Sequence, residues 1–168
     1  MRMLRRNALS FLTFMPIAAA AESAFAAPVA VPEEKPKTAG KILFVVTSHG
    51  ELGNTGRKTG YWLSEVTRPW KVLKDAGYEI DFMSPKGGEC PVEGQNPSDP
   101  VNKAFAQDLS AQKKINFTIK PSEVKPEEYK AIFFAGGHGV MWDFPDNKEL
   151  AAITSKICLL YTSDAADE

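Results

Sequence analysis

KILFVVT (Lys41–Thr47) is a continuous apolar run, rich in β-branched residues, that passes directly into the polar loop SHGELGNTGRK at residues 48–58. A strand with one wet face alternates apolar and polar residues, whereas an unbroken apolar run suits a strand covered on both faces, as in a parallel sheet. EIDFMS (Glu79–Ser84) reads as a second strand, and AIFFA (Ala131–Ala135) as another buried one. Between the first two lies a helical pattern, Leu63, Val66, Trp70 and Leu73, stopped by Gly77. Pro69 interrupts it. Proline has no amide hydrogen for the carbonyl of Glu65, and Arg68 before it is biased away from helical angles. Glu65 is therefore expected on a short turn ahead of the main helix, or at a kink.

Further along, a helix is expected around residues 101–109, an extended piece near residues 115–119, and turns at Ser122 and at PEEY (Pro126–Tyr129). The last helix starts near Asp146, with Leu150, Ile153 and Ile157 on one face. Strands alternating with helices predict an α/β fold, a parallel sheet with helices on both faces. Sites in such sheets lie beyond the carboxyl ends of the strands. Ser48-His49-Gly50 and the Gly136–Gly139 turn both fall there. The loop SPKGGECPVEGQNPSDP (84–100) is long enough to predict a role in shaping a site or contacting a partner.

Upstream, Arg2, Arg5 and Arg6 precede an apolar run from Ala8 to Ala21 and an A-x-A sequence at residues 24–26. This predicts a cleaved signal peptide at residues 1–26, hence a periplasmic or secreted protein with no membrane attachment after cleavage. The pair Arg5-Arg6 leaves the Sec and twin-arginine routes both open. Residues 27–40, APVAVPEEKPKTAG, read as a disordered linker. Over the 168 residues, 20 basic and 21 acidic side chains give a formal charge of −1, which lacks the basic excess a nucleic-acid partner requires. The two cysteines, Cys90 and Cys158, form no metal-binding spacing, so no metal is expected.

Three strings in order, GYWLSEVTRPW (60–70), SPKGGECPVEG (84–94) and FFAGGHGVMWDFP (133–145), resemble the ThiJ/PfpI family of the type 1 glutamine amidotransferase-like superfamily. The similar branch holds glyoxalase III-type enzymes and stress chaperones, and the resemblance implies a flavodoxin-like fold over roughly residues 41–157. It also implies a cysteine nucleophile on a strand-to-helix turn, commonly followed by histidine, which this sequence lacks. The stretch CLLYTSDAADE (158–168) breaks the family pattern and resembles the translation of a sequencing adapter. The expectation is thus a partial domain, the N-terminal part of the fold, catalytically inactive as it stands.

By the same resemblance Glu65 is the carboxyl beside the nucleophile, moving protons from a partly dry pocket that raises its pKa. Gly136 and Gly137 supply backbone amides toward a substrate oxygen. The role of His138 stays open between packing and substrate binding. His49 reads as a solvated loop residue, and Cys90 as no nucleophile. Trp62, Trp70 and Trp142 read as core or rim aromatics.

The implied function is a cofactor-free hydratase converting small reactive aldehydes such as methylglyoxal to lactate, with a homodimer in the full-length protein. The alternative is a holdase or interaction module using Phe133, Phe134, Trp142 and the long loop. Truncation predicts an unpaired edge on the strand at 131–135 and a last helix robbed of the surface it should cover.

Overall fold

A computed structural model describes residues 38–164. The leader and most of the linker expected from the sequence lie outside the described residues. Five short strands and five helices follow one another as β1 (Lys41–Val45), β2 (Tyr61–Trp62), α1 (Leu63–Asp75), β3 (Glu79–Met83), β4 (Val92–Glu93), α2 (Pro100–Gln107), α3 (Leu109–Asn116), β5 (Tyr129–Phe134), α4 (Val140–Asp143) and α5 (Lys148–Asp164). Two single turns of 3₁₀ helix, Pro121–Glu123 and Pro126–Glu128, lead into β5.

The main sheet is parallel, in the order β3-β1-β5, and β2 pairs with β4 in a separate parallel ribbon. Central β1 explains the unbroken apolar run. Ile42, Phe44 and Val46 face one helical layer, with Val66 and Trp70 of α1, Phe105 of α2 and Ile115 of α3. Leu43 and Val45 face the other, with Leu150, Ile153 and Ile157 of α5. Strand residues alternate sides, so a strand between two helical layers must be apolar at every position. The fold is the α/β, flavodoxin-like arrangement with helices on both faces.

Four local expectations need correction. α1 is one continuous helix through Pro69, with Glu65 in its first turn. The proline forfeits a single hydrogen bond, and burial of Val66, Thr67 and Trp70 on the sheet holds the helix together. Gly77 ends it as expected, in a Schellman arrangement: Gly77 N–H donates to Lys74 O and Tyr78 N–H to Leu73 O. The helix expected near residues 101–109 is two helices. Asp99 caps α2 through the amides of Val101 and Asn102, and Asp108 ends α2 while capping α3 through Ala111. Ile115, expected to be extended, belongs to α3. Finally, α5 keeps its cover, with Leu150, Ile153 and Ile157 only 3%, 7% and 2% exposed. β5, by contrast, borders the sheet among the described residues, with Phe134 38% exposed.

Candidate functional site

The β1, β3 and β5 strands all point their carboxyl ends to one rim, and the turn Gly136–Gly139 leaves β5 there. Three backbones are zipped together at this point. Trp62 N–H donates to Gly136 O at 2.9 Å, Gly139 N–H to Gly60 O at 3.4 Å, and Tyr61 N–H to Pro91 O at 3.0 Å. The β2 segment is thus clamped between the turn and the long loop, and it delivers the chain into the first turn of α1.

Glu65 sits in that first turn, where a carboxylate also complements the positive end of the helix dipole. Its Oε2 accepts the Gly136 N–H at 2.8 Å, joining residues 71 apart in sequence. Gly136 has to be glycine for this contact, because a Cβ there would lie 2.5 Å from the same Oε2. Gly137 is pinned more severely. Its φ is +125°, and a Cβ would lie 2.3 Å from Gly60 O and 2.7 Å from Trp62 N. Its amide has no acceptor among the described residues.

The geometry revises two expectations about these residues. The Gly136 amide is committed to Glu65, which leaves the Gly137 amide as the open donor of the pair. Glu65 is exposed, so the described residues do not build the partly dry pocket expected around it.

His138 pairs with Glu93, a residue the sequence reading passed over. One carboxylate oxygen, Glu93 Oε1, lies 2.9 Å from both the His138 amide and the ring Nδ1. Partial burial works against the ionised Glu93, but the amide and ring of His138 outweigh it and hold the carboxyl below the usual carboxylate range. Only the β2–β4 pairing, Trp62 against Glu93, places this carboxylate beside the turn. In sequence nothing sets Glu93 apart from Glu89 and Asp99, the other acids of the long Gly- and Pro-rich loop.

A second network braces the neighbouring strand end. Asp143 of α4 accepts Thr47 Oγ1–H and Ser48 N–H, both at 2.7 Å. His49 stacks on Trp142 at 4.8 Å between ring centroids and bonds Glu51 O through Nε2 at 2.6 Å. This makes His49 and Trp142 packing partners of the 48–58 loop. Trp70 is a core residue, and Trp62 lies at the exposed rim.

Neither cysteine resembles a nucleophile beside Glu65. Cys90 is 8% exposed, with its sulfur 3.8 Å from Gly88 O and 3.6 Å from Thr118 Oγ1. Burial pushes its thiol up, against the pull of hydrogen bonds from Ser84 and Thr118. Cys158 lines a cavity of about 700 Å³ with Phe134, Phe144 and Leu150, and none of Glu65, Gly136, Gly137 or His138 lines that cavity. With less thiolate at any given pH and little access, Cys90 is expected to resist iodoacetamide in the folded chain and to react on unfolding, while Cys158 reacts first. Equal labelling rates, read by peptide mass spectrometry, would show that the Cys90 environment is open. Among the described residues no group of three or more His, Cys, Asp or Glu side chains could hold a metal ion, and no helix is long and apolar enough to cross a membrane.

No family model matches the chain. It is 30% identical over 127 residues to the glutathione-independent glyoxalase HSP31 of Saccharomyces cerevisiae, covering 70% of this chain and 52% of that protein. It is likewise 30% identical over 129 residues to glyoxalase 3 of Candida albicans, with the same coverage. Among solved structures, the Rapid Encystment Protein of Francisella tularensis superposes with a TM-score of 0.66 at 38% identity, over 70% of this chain and 53% of that one. Candida albicans glyoxalase III gives 0.61 at 26% identity, over 70% and 52%. The chain spans about half the length of the curated relatives it matches.

These relatives overturn the expected periplasmic or secreted location. The curated ones are fungal glyoxalases, and the leader that suggested export lies outside the described residues. Likeness over about 70% of the chain, carried on a parallel sheet with both faces covered, bears out the resemblance to the ThiJ/PfpI family, and the curated relatives that the chain resembles are glutathione-independent glyoxalases.

Proposed function

We propose that the full-length protein is a glyoxalase III-like hydratase that converts a small reactive carbonyl, methylglyoxal in the first instance, to lactate without a cofactor. The observation that carries this reading is Glu65, held on the Gly136 amide at the strand-end rim. With Oε2 anchored, Oε1 is the oxygen left to exchange protons with a bound substrate.

In this reading a thiolate adds to the aldehyde carbon of methylglyoxal to form a hemithioacetal. Glu65 takes the proton from that carbon and returns it to the neighbouring carbonyl carbon, leaving a lactate thioester. Water cleaves the thioester, so methylglyoxal and one water give lactic acid and the thiol is restored. The Gly137 amide stabilises the developing oxyanion. Neither Cys90 nor Cys158 suits the thiol's part, so the reading calls for a further cysteine in a longer protein, together with a surface that covers Glu65. A homodimer of that protein is part of the same proposal.

The holdase alternative has lost one of its contact surfaces, since Phe133 packs on Phe44 with ring centroids 4.8 Å apart. The product of the longer gene is expected to form lactate from methylglyoxal with no glutathione added. Consumption of methylglyoxal that requires glutathione, or no consumption at all, would remove the hydratase reading.

A further inference from the structure

Glu93 and His138 meet in a way that fixes where the imidazole proton sits. A backbone N–H can only donate, so Glu93 Oε1 is an acceptor toward the His138 amide, and it lies 2.9 Å from the ring Nδ1 as well. An ionised carboxylate has no hydrogen to give. Neutral His138 must then carry its proton on Nδ1, because the tautomer of an imidazole is set by the bond its other nitrogen makes. Nε2 is left with a lone pair and no hydrogen bond among the described residues, on a side chain that is 59% exposed.

The preceding residue contributes the converse group. Gly137 offers an amide donor with no acceptor among the described residues, held in place by its close approach to Gly60 and Trp62. Consecutive residues next to the Glu65 contact therefore present one open donor and one open acceptor. A ligand with a carbonyl oxygen beside a hydroxyl carries a partner for each, whereas a bare ketone or aldehyde carries one for the donor only. In water, reactive aldehydes carry such a hydroxyl as their hydrates.

We infer that Glu93 is a positioning residue that locks His138 as the Nδ1–H tautomer, so that Nε2 accepts a hydrogen bond from the hydroxyl of a hydrated or α-hydroxylated carbonyl compound. The tautomer stands on the geometry alone; the ligand class rests on the carbonyl reading above.

The test uses the whole chain labelled with ¹⁵N-histidine, with a His49→Gln variant to assign the two rings. Above the imidazole titration, long-range ¹H–¹⁵N spectra are expected to show His138 protonated at Nδ1 and unprotonated at Nε2. Glu93→Gln keeps an oxygen that accepts both bonds and should preserve that pattern, while Glu93→Leu should release the ring to a tautomer mixture. Hydroxyacetone should move the Nε2 resonance and acetone should not. Its dissociation constant should rise about tenfold in Glu93→Leu, the loss of roughly one hydrogen bond.

A wild-type ring protonated at Nε2 would overturn the inference, as would equal responses to hydroxyacetone and acetone. If Glu93→Leu fails to fold, the wild-type and Glu93→Gln spectra still decide. Should the longer protein make no lactate while hydroxyacetone still moves Nε2, the reaction reading fails and this one survives.

Discussion

Gly137→Ala is expected to destabilise the folded chain by several kcal/mol, lowering the urea midpoint more than alanine at any open glycine. Two costs combine. The native φ of +125° is one that L side chains rarely adopt, and holding such a conformation costs about 1–3 kcal/mol. The new methyl group would also lie 2.3 Å from Gly60 O and 2.7 Å from Tyr61 Cα. Both are backbone atoms of a clamped segment, so neither can swing aside as a side chain tip would, and overpacking of this kind costs about 1–3 kcal/mol more. Against a typical domain stability of about 5–15 kcal/mol, that is a large share. Gly56→Ala separates the two costs, because Gly56 has φ +73° with nothing within 4 Å of an added Cβ. It should lose the backbone share alone. Equal losses at both positions would mean that the turn and the β2 segment do not approach as closely as described.

Glu65→Gln in the full-length protein is expected to lower kcat by about 10²–10⁴-fold, the usual contribution of a positioned proton-transfer group. The substitution keeps the shape of the side chain and an oxygen that can accept the Gly136 N–H, so the turn should stay closed and the melting temperature should change little. What disappears is the ability to hold and release a proton. KM for methylglyoxal should move far less than kcat, because the loss falls on the transition state and not on ground-state binding. A variant that keeps its activity would assign Glu65 to structure alone, as the clamp on Gly136. Loss of activity together with loss of fold would be read through Glu65→Asp, whose shorter carboxylate retains the proton chemistry but reaches less far toward Gly136.

The layering of the fold was legible in one strand. KILFVVT could be apolar throughout only by facing two helical layers, and Ile42, Phe44 and Val46 divide from Leu43 and Val45 in just that way. The α5 stripe of Leu150, Ile153 and Ile157 was equally legible from helical spacing. Pro69 misled because its cost was judged locally. One missing hydrogen bond is small beside the burial of Val66 and Trp70 on either side of it. Asp108 misled in the opposite sense, since nothing local says whether an aspartate inside a helical pattern faces solvent or caps a new helix.

At the site, Glu65 and the glycine turn could be found from motifs, because each lies within a short contiguous string. Glu93 could not. Its partner is 45 residues away, and the pair exists only because residues 92–93 of a Gly- and Pro-rich loop add a strand beside Tyr61 and Trp62. The use of the Gly136 amide by Glu65 was hidden for the same reason, being a contact across 71 residues.

A crystal structure of the full-length protein with lactate bound would test the assignment of this rim most directly. The expected result is lactate with an oxygen within hydrogen-bond distance of the Gly137 amide and of Glu65, a cysteine sulfur facing the same carbon, and the Glu65–Gly136 bond intact. Lactate bound elsewhere, with Glu65 still open to solvent and no sulfur near it, would contradict the carbonyl site placed here.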